Sequence, residues 1–225
     1  MTPNKTARLA GVLYLLSGLP GVFSYLYIPA KFVAPMDAAE TARRIAAMPT
    51  MYRFGIVSDV FGQVMLIALA WTLARLLEDS DRSYARLMVA LATAGAVLEC
   101  VNALNLAGPL LLVSHRSALS ALGDAQLDAL ALAALHVRAE GLLLAQVFWG
   151  LWLLPFGILV IKSGRFPRML GWLLIVGCFG YVTASTQAVL APTHGMAGQL
   201  AQAIGGLSEL AIIVWLFARG APAVT

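Results

Sequence analysis

With 60% hydrophobic residues and only 12% charged ones among 225, this chain carries half the charge of a soluble domain, which is typically about 25%. Its mean hydropathy is +0.84, and the apolar residues come in blocks without polar faces, so an integral membrane protein is expected and a soluble helical bundle is excluded. The net charge of +4 gives no reason to expect a nucleic-acid partner, because the basic residues sit at the ends of the blocks, where membrane topology accounts for them.

A helix needs about 20 mostly apolar residues to cross a bilayer, and six stretches qualify: residues 8–30, 54–77, 86–110, 139–162, 168–190 and 199–218. The first comes after Lys5 and Arg8, as a signal peptide would. Its apolar run is long for one, and PAKFVAP is a poor cleavage site, so it is kept as a span. The connector PMDAAETARRIAAMP then offers Asp37 as a helix N-cap and Pro49 as a stop, which predicts a short helix on the outer face. The second span contains Asp59 and Gln63, one helical turn apart. In the third, Glu99, Asn102 and Asn105 come at successive i+3 steps on one broad face. GDAQLDALALAALHVRAEG predicts another short outer helix, capped by Asp124. Arg138 and Glu140 mark the start of the fourth span, which also carries Gln146. The fifth ends in Ser185, Thr186 and Gln187. Gln202, Gly206 and Glu209 share a face of the sixth. The expected fold is an all-α, polytopic membrane bundle of six helices in one domain, with short extracytoplasmic interfacial helices.

Nine of the 15 Lys and Arg residues fall on the side of the N-terminus, so both termini are expected in the cytoplasm. Cys100 and Cys178 lie within spans and form no CxxC, and read as small buried hydrophobes. Pro20, Pro109 and Pro155 should bend their helices.

A charged side chain at mid-bilayer costs about 2.5–3.5 kcal/mol on insertion scales. Asp59, Gln63, Glu99, Asn102 and Glu209 should therefore face the bundle interior, a partner or water. No Lys or Arg is expected at the depth of Glu99 or Glu209, where a lone carboxyl favours its neutral form. Arg53 and Arg138, at the outer rim, are the expected partners of Asp59 and Glu140. The functional reading is a site for an ion, a proton or a small polar ligand. The alternative is helix glue, since interhelical polar contacts hold membrane helices by about 0.6–2 kcal/mol each.

His115, His136 and His194 all fall on the outer side. His136 and Glu140 share a helix face, and with Arg138 they form a rim candidate for water or metal chemistry. No HExxH or comparably dense spacing supports a metal, and none is assigned. Phosphate-loop, nucleophile-elbow and dinucleotide motifs are absent, so the cofactor is left open.

RLAGVLY (8–14), DAAETA (37–42), RFGIVSD (53–59), PRMLG (167–171) and ELAIIVW (209–215) together resemble the bacterial membrane-protein family of domain of unknown function 4386. The resemblance runs from about residue 5 to 218 and rests on the order of these strings. It implies a six-span bacterial inner-membrane protein, and supplies no substrate, cofactor or active site. The expected function is binding or transport of a small polar molecule, ion or proton. The alternatives are an intramembrane or rim-located enzyme using Asp59, His136 and Glu140, and a non-enzymatic scaffold. The bilayer is the expected partner, with a small-molecule ligand; the oligomeric state is left open.

Overall fold

The computed structural model describes residues 2–190 and 196–221; His194 lies outside them. The described chain is helical throughout: α1 (Pro3–Val22), a π-helical turn (Phe23–Tyr27), α2 (Ile28–Phe32), α3 (Ala38–Ala47), α4 (Pro49–Leu77), α5 (Arg82–Asn102), α6 (Leu104–Ser114), a 3-10 turn (Arg116–Leu119), α7 (Asp124–Leu151), α8 (Leu153–Ser163), α9 (Arg168–Leu190) and α10 (Met196–Ala218). Several join end to end, so six helical stretches are long and apolar enough to cross a membrane: Pro3–Phe32, Pro49–Leu77, Arg82–Ser114, Asp124–Ser163, Arg168–Leu190 and Gly198–Ala218.

Local chemistry sets the ends. Asp37 caps α3 by accepting the Glu40 N–H at 2.8 Å, and Pro49 opens α4, where its missing N–H costs nothing. Asp81 accepts the N–H groups of Ser83 and Tyr84 at the start of α5. Gly164 closes α8 at φ +62°, the left-handed conformation glycine adopts most cheaply. Of the three prolines, Pro20 lies inside α1 just ahead of the π turn, Pro109 lies inside α6, and Pro155 comes just after the break at Trp152.

The stretch before Arg138 departs from expectation. Residues 124–138 are the first half of α7, a continuous 28-residue helix, and not a separate outer helix. Between Asp124 and Leu151 only Gly141 and Gly150 are poor helix formers, so backbone pairing runs on through the charged residues. Gly123 also takes the cap position expected of Asp124. Its carbonyl accepts the N–H groups of Gln126 and Leu127, and its own N–H donates to Gln126 Oε1. Asp124 instead pairs with Arg116 at 2.9 Å, and Arg116 also pairs with Asp128.

The chain forms two compact units. The first takes residues up to Ser17, Val64–Leu98 and the chain from Leu143 on; the second takes Gly18–Gln63 and Glu99–Leu142. In the first unit Trp152, buried, stacks on Phe156 with ring centroids 5.5 Å apart. There α8 and α9 approach until a Cβ on Gly157 would stand 2.5 Å from the Gly171 carbonyl oxygen. Lipid is as apolar as leucine, so close packing of this kind, rather than exclusion from water, holds membrane helices together. In the second unit Ile28, Phe32, Ile45, Tyr52 and Leu106 form the core, with the Phe32 and Tyr52 rings edge to face at 5.1 Å. There α3 packs against α2 and α6.

Candidate functional site

The most concentrated polar chemistry lies inside the second unit. Arg138, on α7, reaches two carboxylates on two other helices. Its Nη2 donates to Asp59 Oδ2 at 2.6 Å, and its Nη1 to Glu99 Oε1. All three are out of solvent: Asp59 and Glu99 are 0% exposed and Arg138 is 5% exposed. The guanidinium presents a planar fork of N–H donors and does not deprotonate in proteins, so it suits two carboxylates at once.

A second layer orients these groups. Tyr25 donates its hydroxyl to Asp59 Oδ1 at 3.0 Å and accepts from Gln63 Nε2 at 2.7 Å. The Arg138 guanidinium lies 5.5 Å from the centre of the Tyr25 ring, within cation–π range. Asn102 donates to Glu99 Oε2 at 3.2 Å and to the Arg138 carbonyl at 3.0 Å, and accepts from Asn105 at 3.3 Å. Gly141 makes room for it: a Cβ there would stand 2.1 Å from the Asn102 side-chain oxygen. Tyr25 itself comes from the π turn. Such turns insert one extra residue into a helix and rotate the residues beyond it. Ser58, one residue before Asp59, ties the turn's approach to α4 through a 3.0 Å bond to the Pro20 carbonyl.

The charge count is uneven. Two ionised carboxylates around one guanidinium leave one formal negative charge in a site without solvent. Nearby, Gln63 is 5% exposed and its Oε1 has no hydrogen-bond partner among the described residues. The site thus offers a surplus of acceptors. A proton, a small cation or a molecule rich in N–H or O–H donors would balance it.

These positions correct several expectations. Arg138 is not a rim residue paired with Glu140; it is a cation at the depth of Glu99, where none was expected. One guanidinium holds Asp59 and Glu99 together. Arg53 is exposed and forms no ion pair among the described residues, so it is not the partner of Asp59. His136 and Glu140 are exposed, and no group of three or more His, Cys, Asp or Glu residues placed to hold a metal occurs among the described residues. Glu209 lies in the first unit with partners of its own: it accepts from the hydroxyls of Tyr14 at 2.9 Å and Tyr181 at 2.8 Å. Gln146, also in that unit, accepts from Ser185 at 3.3 Å, a contact between α7 and α9. Cys100 and Cys178 are free thiols. Tyr25, Tyr14 and Tyr181 are contributors that sequence reasoning missed. A tyrosine well inside a hydrophobic stretch, away from its interfacial belt, is the signal that would have found them.

Six helical stretches long and apolar enough to cross a membrane, with a buried, hydrogen-bonded ion triad among them, define a polytopic membrane protein with a polar cluster in its interior. Its family is given by comparison: the model of the domain of unknown function 4386 family (DUF4386) matches residues 9–220, nearly the whole chain, and the chain belongs to that family. No curated protein and no solved structure matches it.

Proposed function

We propose that this chain is a multi-pass protein of the bacterial cytoplasmic membrane, with both termini in the cytoplasm, that binds and carries a proton, a small ion or a small polar molecule at the Asp59–Arg138–Glu99 cluster. The observation that carries this reading is the unequal count of two buried carboxylates to one buried guanidinium. A cluster serving only as glue needs one carboxylate for one arginine, and a second buried carboxylate adds desolvation cost without a second cation to offset it. The unmet acceptor on Gln63 supports the same reading. The orientation rests on the Lys and Arg bias between the two sides.

The test is thermal unfolding of the purified protein in detergent between about pH 5 and pH 9, comparing the parent with Asp59→Asn and Glu99→Gln. Each variant leaves one carboxylate for one guanidinium, so each should fold. The parent should show a pH-dependent step in stability that both variants lose, because a site that gains or loses a proton must do so differently folded and unfolded. Identical profiles for all three proteins would favour the scaffold reading.

A further inference from the structure

Glu209 has a different chemistry from the triad. It sits in the middle of α10, within the stretch Gly198–Ala218 that is long and apolar enough to cross a membrane. The groups that face it come from α1 and α9. They are the Tyr14 and Tyr181 hydroxyls, one on each carboxyl oxygen. No Lys, Arg or His stands within ion-pair reach of it among the described residues. The pair of tyrosines is a built arrangement. Gly205, one helical turn before Glu209, lets the Tyr181 ring lie across α10; a Cβ there would stand 2.8 Å from the ring. Tyr14 is held from behind by Trp152, with ring centroids 5.9 Å apart.

Glu209 also differs in residue exposure. It is half-buried where Asp59 and Glu99 are fully buried, and its neighbours Leu207 and Leu210 are exposed apolar residues of the same span. An ionised carboxylate in the middle of an apolar span, with no cation, is costly. The same carboxyl carrying a proton is not, and phenol hydroxyls can either donate to the charged form or accept from the neutral one. We propose that Glu209, gripped by Tyr14 and Tyr181, is a proton-binding carboxyl reached from the apolar side of its span. It is a second ionisable site, chemically separate from the arginine-held cluster. Its occupant is a proton, which needs no cavity. The two phenols make the ionised state tolerable enough for the proton to leave as well as arrive.

A hydrophobic carbodiimide tests this directly. Dicyclohexylcarbodiimide dissolves in the bilayer and reacts with protonated carboxyls. The carboxyl proton passes to a carbodiimide nitrogen while the carboxyl oxygen bonds to the central carbon. The resulting O-acylisourea rearranges, by transfer of the acyl group to nitrogen, into a stable N-acylurea that retains every atom of the reagent. Full-length protein in lipid nanodiscs is treated between about pH 5 and pH 9 and mapped by peptide mass spectrometry. It should be labelled at Glu209 and not at Asp59 or Glu99, which are 0% exposed and closed to the reagent. Labelling should fall as pH rises. In Tyr14→Phe and Tyr181→Phe it should persist to more alkaline pH, because each change removes one donor to the carboxylate; a merely structural tyrosine would leave that profile unmoved. Absence of label at Glu209 throughout the range, labelling unaffected by pH, or labelling of Glu99 to the same extent would each overturn the proposal. Whether Glu209 itself is labelled is read independently of the pH profiles of Asp59→Asn and Glu99→Gln, so the two sites stand or fall separately.

Discussion

Replacing Arg138 with methionine is the most demanding test of the triad. Methionine keeps much of the stem volume and removes both N–H donations, to Asp59 at 2.6 Å and to Glu99. It leaves two carboxyl groups, each 0% exposed, without their cation. Removing one partner of a buried ion pair costs about 3–5 kcal/mol. Loss of the guanidinium from over the Tyr25 ring adds up to about 2 kcal/mol, though not independently. Some of the penalty is recoverable, since Asp59 keeps the Tyr25 hydroxyl, Glu99 keeps the Asn102 amide, and either carboxyl can take a proton. The expected net loss for Arg138→Met is therefore about 3–5 kcal/mol rather than the sum of all terms. Unfolding by sodium dodecyl sulfate in mixed micelles, followed by tryptophan fluorescence, measures it. The triple variant Asp59→Asn/Glu99→Gln/Arg138→Met should recover most of the loss, because a buried ionic cluster replaced as a whole is often near neutral. If Arg138→Met unfolds within about 0.5 kcal/mol of the parent, the guanidinium does not hold these helices together.

Three smaller perturbations probe its surroundings. Gly141→Ala places a Cβ 2.1 Å from the Asn102 side chain; Asn102 must give up its bonds to Glu99 and the Arg138 carbonyl, and the same unfolding assay should show a loss of about 1–3 kcal/mol. Tyr25→Phe removes the donor to Asp59 and the acceptor for Gln63; about 1–3 kcal/mol should be lost, and an unchanged midpoint would mean that the hydroxyl is dispensable. Outside the spans, the Lys162 ammonium, and after it the Tyr84 N–H, holds the Asp81 carboxyl below its ordinary value of 3.8. Its folded-state value is the lower one, so its stabilising effect is complete above about pH 3.8 and fades as pH falls through the lowered value. In acid titrations Asp81→Asn should accordingly be the less stable protein near neutral pH and converge on the parent in acid; a gap that stays constant into acid counts against the pairing.

The spans are readable because hydropathy and length alone specify a membrane helix. Glu99 and Asn102 stand out for the same reason: polar residues are costly in an apolar stretch. Partners are not readable. Arg138 and Asp59 are 79 residues apart, and helical periodicity says which face a residue occupies, not what meets it. Arg138 is misplaced by the sequence pattern because a charged residue usually ends a span, which starts the fourth at residue 139. Inside the fold its charge is neutralised by two carboxylates, and α7 passes through it without interruption. Glu209 is legible and its tyrosines are not, because an aromatic residue within an apolar run is also ordinary core filling. Arg53 suggests itself as the partner of Asp59 by its place near the same helix end, but six positions along a helix point the two side chains in different directions.

The π turn at Phe23–Tyr27 makes the spacing of the first span a matter of phase. Each residue advances a helix by about 100° of rotation, and the wide turn absorbs one residue without breaking the chain. Residues ahead of it and residues after it consequently keep separate angular settings. Tyr25, at the centre of the turn, takes its direction from this widened stretch and not from the regular helix ahead of it. Deleting Phe23 or Ser24 would leave hydropathy and span length almost untouched. It would nonetheless shift Tyr25 by one position along the helix and turn it away from Asp59. Substitution scanning tests what each side chain contributes; only a change of length tests the clocking between them.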